Sequence, residues 1–165
     1  MKIAGIVKDS VVDGVGIRDV VFFQGCRHKC KGCHNPSTWN YDQGTPISAS
    51  EIAQELASSD NDVTLSGGEP LDQNYFDLFM LLEYLTKKQG KRVWLFTGYK
   101  YEDLGKFLIN LIVPYIDVLV DGNYIEELRD TDLKFRGSSN QRLIDLKKTV
   151  ETGQIVEWED IYERI

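Results

Sequence analysis

Residues 18–36 read RDVVFFQGCRHKCKGCHNP, and this stretch decides how the rest of the chain is read. Its first part, Arg18–Phe23, is a short apolar run rich in branched and aromatic side chains, as expected of a parallel strand buried on both faces. The run leads directly into Cys26-x3-Cys30-x2-Cys33, which contains every cysteine of the chain. Three thiols cannot close a disulfide framework, and three within eight positions point to metal or cluster ligation. From Gln24 to about Ile47 neither helical nor strand periodicity is present, and a loop that long inside a compact domain is usually functional.

Working outward, similar runs recur at Asp62–Ser66 (DVTLS), Arg92–Thr97 (RVWLFT) and Asp117–Asp121 (DVLVD), with Ile3–Val7 as a short edge strand. Helical stretches separate them. Ser48-Ala-Ser-Glu51 has the form of a capping box. Tyr75–Lys88 and Tyr101–Ile112 place apolar residues at helical spacing. This β-α alternation predicts a mostly parallel α/β sheet with outer helices and right-handed crossovers. Arg142–Leu146 and Ile155–Trp158 are candidate later strands. The polar punctuation falls at the carboxyl ends of the runs: the cysteine loop, Ser66-Gly67-Gly68-Glu69-Pro70, Thr97-Gly98-Tyr99 and Asp121-Gly122. In parallel α/β architecture these ends share the face where ligands bind.

The 165 residues suit one domain, 1–165. A formal charge of −7 argues against general binding to nucleic acid or anionic membrane. No apolar run approaches the roughly 20 residues of a membrane span, and the N-terminus lacks a signal pattern, so the expected compartment is the cytoplasm.

The cysteine spacing by itself leaves several chemistries open. Three thiolates can hold three irons of a four-iron cluster and leave the fourth open. A Cys3His zinc site recruiting His28 or His34 would give a non-enzymatic interaction module. Cys30-x-x-Cys33-His34 matches c-type haem attachment but needs a secreted context and leaves Cys26 without a role. Cys30-x-x-Cys33 as a redox pair lacks the usual placement opening a helix. Three unliganded cysteines complete the set.

The order of motifs resembles the radical S-adenosylmethionine superfamily, which carries a C-x3-C-x2-C loop after the first barrel strand and Gly67-Gly68-Glu69 after the next. Asp13-Gly-Val-Gly-Ile-Arg18 followed by VVFFQGC resembles the glycyl-radical-enzyme activases. GCHNPSTW, LFTGY, VDG and RGSSNQR are most similar to the branch that activates anaerobic ribonucleotide reductase, over about residues 1–146. The resemblance implies a partial, open (β/α) barrel, shorter than the ~250 residues typical of eight units. It implies one [4Fe-4S] cluster on Cys26, Cys30 and Cys33, with S-adenosylmethionine chelating the open iron. In that family the reduced cluster cleaves the sulfonium, and the 5'-deoxyadenosyl radical takes hydrogen from a glycine of the partner enzyme. The implied partners are the large subunit of the reductase and a low-potential electron donor such as a flavodoxin; an activase for pyruvate formate-lyase is the nearest relative reading.

By the same resemblance Gly67, Gly68 and Glu69 meet the amino group of S-adenosylmethionine. Gly32, Cys33 and His34 lie against its adenine, and Thr97 and Asp121 sit on the active face beside it. Gly32 stands where many superfamily members carry an aromatic residue. Against these roles stand plainer ones: a tight turn for Gly67-Gly68, and a turn for Asp121-Gly122. His28, between basic side chains, is expected in solvent and Arg18 in a structural role. Trp39 is the expected apolar anchor of the cysteine loop, and Arg136 and Arg142 bracket a polar loop of unassigned function.

Overall fold

The apolar runs pair side by side in sequence order. In a computed structural model describing residues 1–160, seven strands form one open sheet. They are β1 (Lys2–Ser10), β2 (Arg18–Phe23), β3 (Thr45–Pro46), β4 (Asp62–Gly67), β5 (Val93–Phe96), β6 (Ile116–Asp121) and β7 (Arg142–Asp145). Their order is β3-β1-β2-β4-β5-β6-β7. The central β2, β4, β5 and β6 are parallel, while β1, β3 and β7 run antiparallel to their neighbours. The parallel strands β2, β4, β5 and β6 lie side by side in chain order, so after the excursion to β3 the sheet is built in one direction. With right-handed crossovers this stacks the intervening helices on one side.

Those helices are α1 (Ala49–Leu56), α2 (Tyr75–Glu83) and α3 (Lys106–Ile112); α4 (Leu146–Thr152) follows β7. The capping box forms as expected: Ser48 Oγ accepts from the Glu51 N–H at 3.2 Å, and Glu51 Oε2 accepts from the Ser48 N–H at 2.8 Å. Asn74 caps α2, which continues through a wider turn at Tyr84–Lys88. The helices bury Ile52, Leu56, Leu78, Leu81, Leu82, Leu85 and Ile112 in one core with Val21, Phe23, Val63, Leu65 and Leu95 of the sheet. A second, smaller cluster joins Trp94, Val118 and Val120, with Phe135 and Trp158 packed against it.

Three expectations change. The Ile3–Val7 strand extends to Lys2–Ser10, and the two residues of β3 cover its outer side, so it is not the edge. The Tyr101–Ile112 helix is broken: Tyr101–Asp103 form a single tight turn, extended backbone follows at Leu104, and α3 starts after Gly105. Ile155–Trp158 contributes one bridge, Ile144 to Glu157, rather than a strand. Among the described residues no helix is long and apolar enough to cross a membrane.

Arg18 is structural. Its side chain is buried, with Nε donating to Thr64 Oγ1 (2.8 Å) and Nη2 to the carbonyls of Val63 (2.7 Å) and Arg92 (3.0 Å). The guanidinium also sits 5.4 Å from the centre of the Trp94 ring. Burial lowers its pKa to about 10, which still leaves it charged. At the opposite end of the sheet Arg142 bridges two carboxylates. It bonds Asp121 through Nε at 2.9 Å and Glu102 through Nη1 and Nη2 at 2.9 and 2.7 Å. Asp121 is therefore committed to fixing β7 against β6, and it also accepts the Tyr101 N–H at 2.8 Å.

Two stability predictions follow from these pairs. Arg18→Met leaves several buried acceptors unsatisfied and is expected to cost on the order of 3 kcal/mol in a urea melt. The Arg142 hydrogen bonds lower the Glu102 pKa from 4.5 to about 2. A depressed folded pKa gives stability that is present above the ordinary value and lost as pH falls towards the folded one. Glu102→Gln is therefore expected to cost under about 1 kcal/mol at neutral pH, since the carboxylate is half exposed. Paired melts should show that difference shrinking between pH 4.5 and about 2.

Candidate functional site

The site begins where β2 and β4 end. Gly68 N–H donates to the Phe23 carbonyl and Glu69 N–H to the Gly25 carbonyl, both at 2.8 Å, so the two strand ends stay zipped past the sheet. This requires two residues without side chains. Gly67 has φ +98°, and a Cβ there would overlap the backbone of Phe22 and Phe23; a Cβ on Gly68 would overlap the Gly25 carbonyl. The tight-turn reading of the pair is thus correct for the protein's own packing, and both glycines also line the cavity described below.

Glu69 is fully buried and all its acceptor capacity is used. Oε1 accepts from Thr97 Oγ1 (2.8 Å) and the Leu71 N–H (3.0 Å); Oε2 accepts from the Gly98 N–H (2.8 Å) and faces His28 Nε2 at 2.9 Å. One carboxylate therefore ties the end of β4, the end of β5 and the cysteine loop together. His28 is not in solvent as expected. Its ring is largely buried against Glu69 and meets Tyr99 edge-on at 4.5 Å. It fits because residue 98 is glycine: a Cβ there would lie 2.5 Å from His28 Cδ2.

A second carboxylate holds the outer side of the loop. Asp72 accepts from Tyr99 Oη at 2.7 Å, from Tyr41 Oη and from Arg27 Nε at 3.1 Å. Burial alone would push the Asp72 carboxyl up, but these donors outweigh it and hold it below its usual range. Burial and the same carboxylate push the Tyr41 phenol up to about 12. The base of the loop is closed by Gln24, whose Nε2 donates to the carbonyls of Ser37 (3.0 Å) and Asn40 (2.8 Å).

Cys26, Cys30 and Cys33 line one cavity of about 690 Å³, within the range of small-molecule sites. Burial pushes the thiols of Cys26 and Cys30 up. Backbone N–H groups oppose this: His28 and Lys29 donate to Cys26, and Tyr124 to Cys30. Cys33 Sγ accepts from the Asn35 N–H at 3.3 Å. Each sulfur thus has an N–H donor ready for the thiolate form that metal ligation requires. Among the described residues no three His, Cys, Asp or Glu side chains close around one point as a single-ion site would need. The donor set fits a cluster that carries each thiolate on a different iron.

The cavity also takes in His34, Gly67, Gly68 and Thr97. Gly32 and Asp121 lie outside its lining, and Glu69 sits beneath it, holding His28 and Thr97, which do line it. His34 is exposed, with Tyr124 packed at 5.3 Å. The structure adds Trp39, Phe96 and Arg136 to the wall. Arg136 Nη1 donates to the Gln141 carbonyl at 2.8 Å, but its buried Nε has no partner among the described residues, nor has the indole N–H of Trp39. Trp39 is partly buried at this wall, and its carbonyl accepts the Cys26 N–H at 3.2 Å. Phe96 arrives with the carboxyl end of β5, whereas Arg136 reaches the cavity only because the 130s loop returns over the strand ends.

A family model described as a 4Fe-4S single cluster domain matches residues 12–144. The class of protein is therefore one with a 4Fe-4S single cluster domain. The chain is 39% identical over 140 residues to the anaerobic ribonucleoside-triphosphate reductase-activating protein of Salmonella typhimurium, covering 79% of this chain and 90% of that one. The protein of the same name from Escherichia coli K12 is 38% identical with the same coverage. That from Enterobacteria phage T4 is 41% identical over 138 residues, 80% of this chain and 86% of the phage protein. The chain belongs to the family of anaerobic ribonucleoside-triphosphate reductase-activating proteins.

The Glu69 junction yields a prediction. His28→Ala removes one donor from a buried carboxylate and is expected to cost about 1–3 kcal/mol. Hydrogen exchange should quicken at the amides of residues 26–33 while those of β4 and β5 keep their protection.

Proposed function

We propose that this chain activates an anaerobic ribonucleoside-triphosphate reductase by generating a glycyl radical in that enzyme's large subunit. The observation that carries the proposal is the convergence of three thiols from one eight-residue loop with Gly67-Gly68 in a single cavity at the carboxyl ends of parallel strands. A [4Fe-4S] cluster bound there supplies, when reduced, the electron that splits S-adenosylmethionine into methionine and the 5'-deoxyadenosyl radical that takes hydrogen from a reductase glycine.

The protein's part is to bind, position and exclude. Cys26, Cys30 and Cys33 hold three irons and leave one open. The backbone of Gly67 and Gly68 receives the amino group, since the Glu69 carboxylate is already occupied by four donors and acts by fixing the strand end. Cys33 and His34, which line the cavity, offer backbone to the adenine, while Gly32 lies against the Glu126 side chain outside it. Thr97 lies on the cavity wall, and Asp121 holds the strand end behind it. Phe96, Val120 and Phe135 keep the chamber apolar, which protects a reactive radical from side reactions. Val11 and Val12, which are largely exposed, form an apolar rim suited to a protein substrate.

In this reading the open sheet is a partial (β/α) barrel of the radical S-adenosylmethionine type, one domain acting in the cytoplasm. Its electrons come from a low-potential donor such as a flavodoxin, with no role for nucleic acid or membrane. The chain-order placement of the parallel strands β2, β4, β5 and β6 and the clustering of helices on one side support the barrel.

Anaerobic reconstitution tests the proposal. Iron and sulfide near four each per chain, with 5'-deoxyadenosine released after addition of reductant and S-adenosylmethionine, is the expected result. Cys30→Ala is expected to abolish that release while keeping the far-ultraviolet dichroism of the parent. Undiminished release by Cys30→Ala would refute the ligand assignment.

A further inference from the structure

The three sulfurs differ in where their hydrogen-bond donors come from. Cys26 and Cys33 are served by N–H groups of their own loop, from His28, Lys29 and Asn35. Cys30 is served by its own N–H and, in addition, from across the cavity by the segment that leaves β6. The Tyr124 N–H points at its sulfur, and Asn123 Oδ1 lies 3.8 Å from Sγ, where it accepts from the thiol. The same segment grips the loop elsewhere: Glu126 pairs with Lys31 at 3.3 Å, and the Tyr124 ring packs on His34.

We infer that the Asn123 side-chain amide, beside the Tyr124 N–H, donates to the Cys30 sulfur in the loaded protein and so sets the potential at which the cluster accepts an electron. The inference rests on the assignment of Cys30 as a cluster ligand. Ligation removes the thiol proton, and the sulfur becomes an acceptor. An amide oxygen facing it is then repelled, and a half-turn about the terminal bond brings Nδ2 and its two hydrogens into the same place. Nothing opposes the turn, because among the described residues the amide has no other hydrogen bond. The backbone carrying it is pinned: Asn140 Nδ2 donates to the Asn123 carbonyl at 2.7 Å, and Gln141 Nε2 to the Gly122 carbonyl at 3.0 Å. Gly98 supplies the space, since a Cβ there would stand 2.7 Å from Asn123 Oδ1. A reduced cluster carries one more negative charge than an oxidised one. A donor to its sulfur therefore stabilises the reduced form and raises the potential. Asn123 is a positioning residue in this sense, and it touches the ligand rather than the reacting atoms.

The test is a redox titration of the full chain, reconstituted without oxygen and without S-adenosylmethionine, followed by the electron paramagnetic resonance of the reduced cluster. Asn123→Leu keeps the volume and removes the donor; Asn123→Lys keeps a donor. The side chain is exposed, so both are expected to fold and to bind iron as the parent does. Asn123→Leu should disfavour reduction about tenfold, about 59 mV for a one-electron couple. Asn123→Lys should titrate at or above the parent. A parent-like midpoint in Asn123→Leu, or a midpoint in Asn123→Lys as low as that of Asn123→Leu, overturns the inference while the ligand assignment stands. Failure of the parent to assemble a cluster would instead overturn the assignment beneath it.

Discussion

A buried carboxylate that no water can reach must be met by donors from the protein, and Glu69 gathers them from places the chain would otherwise leave apart. Its partners belong to the cysteine loop, to the end of β5 and to the turn after β4. Moving any of these leaves a polar group unpaired in a site of low dielectric. The arrangement is therefore favoured as a unit. The loop of about two dozen residues from Gln24 to Ile47 has little regular structure of its own, and its position depends on this junction and on Asp72 at its outer side. The sheet provides the rigid floor, with its apolar strands locked between α1, α2, α3 and the smaller cluster around Trp94.

From that floor the chemistry follows by geometry. Parallel strands that step one place at a time bring four loops to one end, and the cysteine loop lies across them. Sulfur atoms in a partly dry cavity are poor thiolates without help, which is why the N–H donors around them matter.

Much of this was legible in the residues themselves. RDVVFF, DVTLS, RVWLFT and DVLVD are short, branched and apolar, and that composition, alternating with helical stretches, marks them as the parallel core. The cysteine spacing and Gly67-Gly68 marked the active end, and both line its cavity. What sequence did not carry was tertiary pairing. His28 sits among basic neighbours, and nothing local says that a buried carboxylate 41 positions on will draw it inward. Asp121 looks like the start of a turn until Arg142 is placed beside it by the antiparallel β7. The helix over Tyr101–Ile112 had the right apolar spacing, but extended backbone at Leu104 and Gly105 divides the stretch into a tight turn and a shorter helix. The approach of Asn123 to Cys30 spans 93 positions, beyond any pattern read along the chain.

The central claim is that three sulfurs leave one corner of a four-iron cube free for a small molecule. Mössbauer spectroscopy of the anaerobically rebuilt protein addresses it without relying on turnover. One iron in four should change its isomer shift when S-adenosylmethionine is added, while the other three keep theirs. Four irons that remain alike and indifferent to the addition would contradict the account.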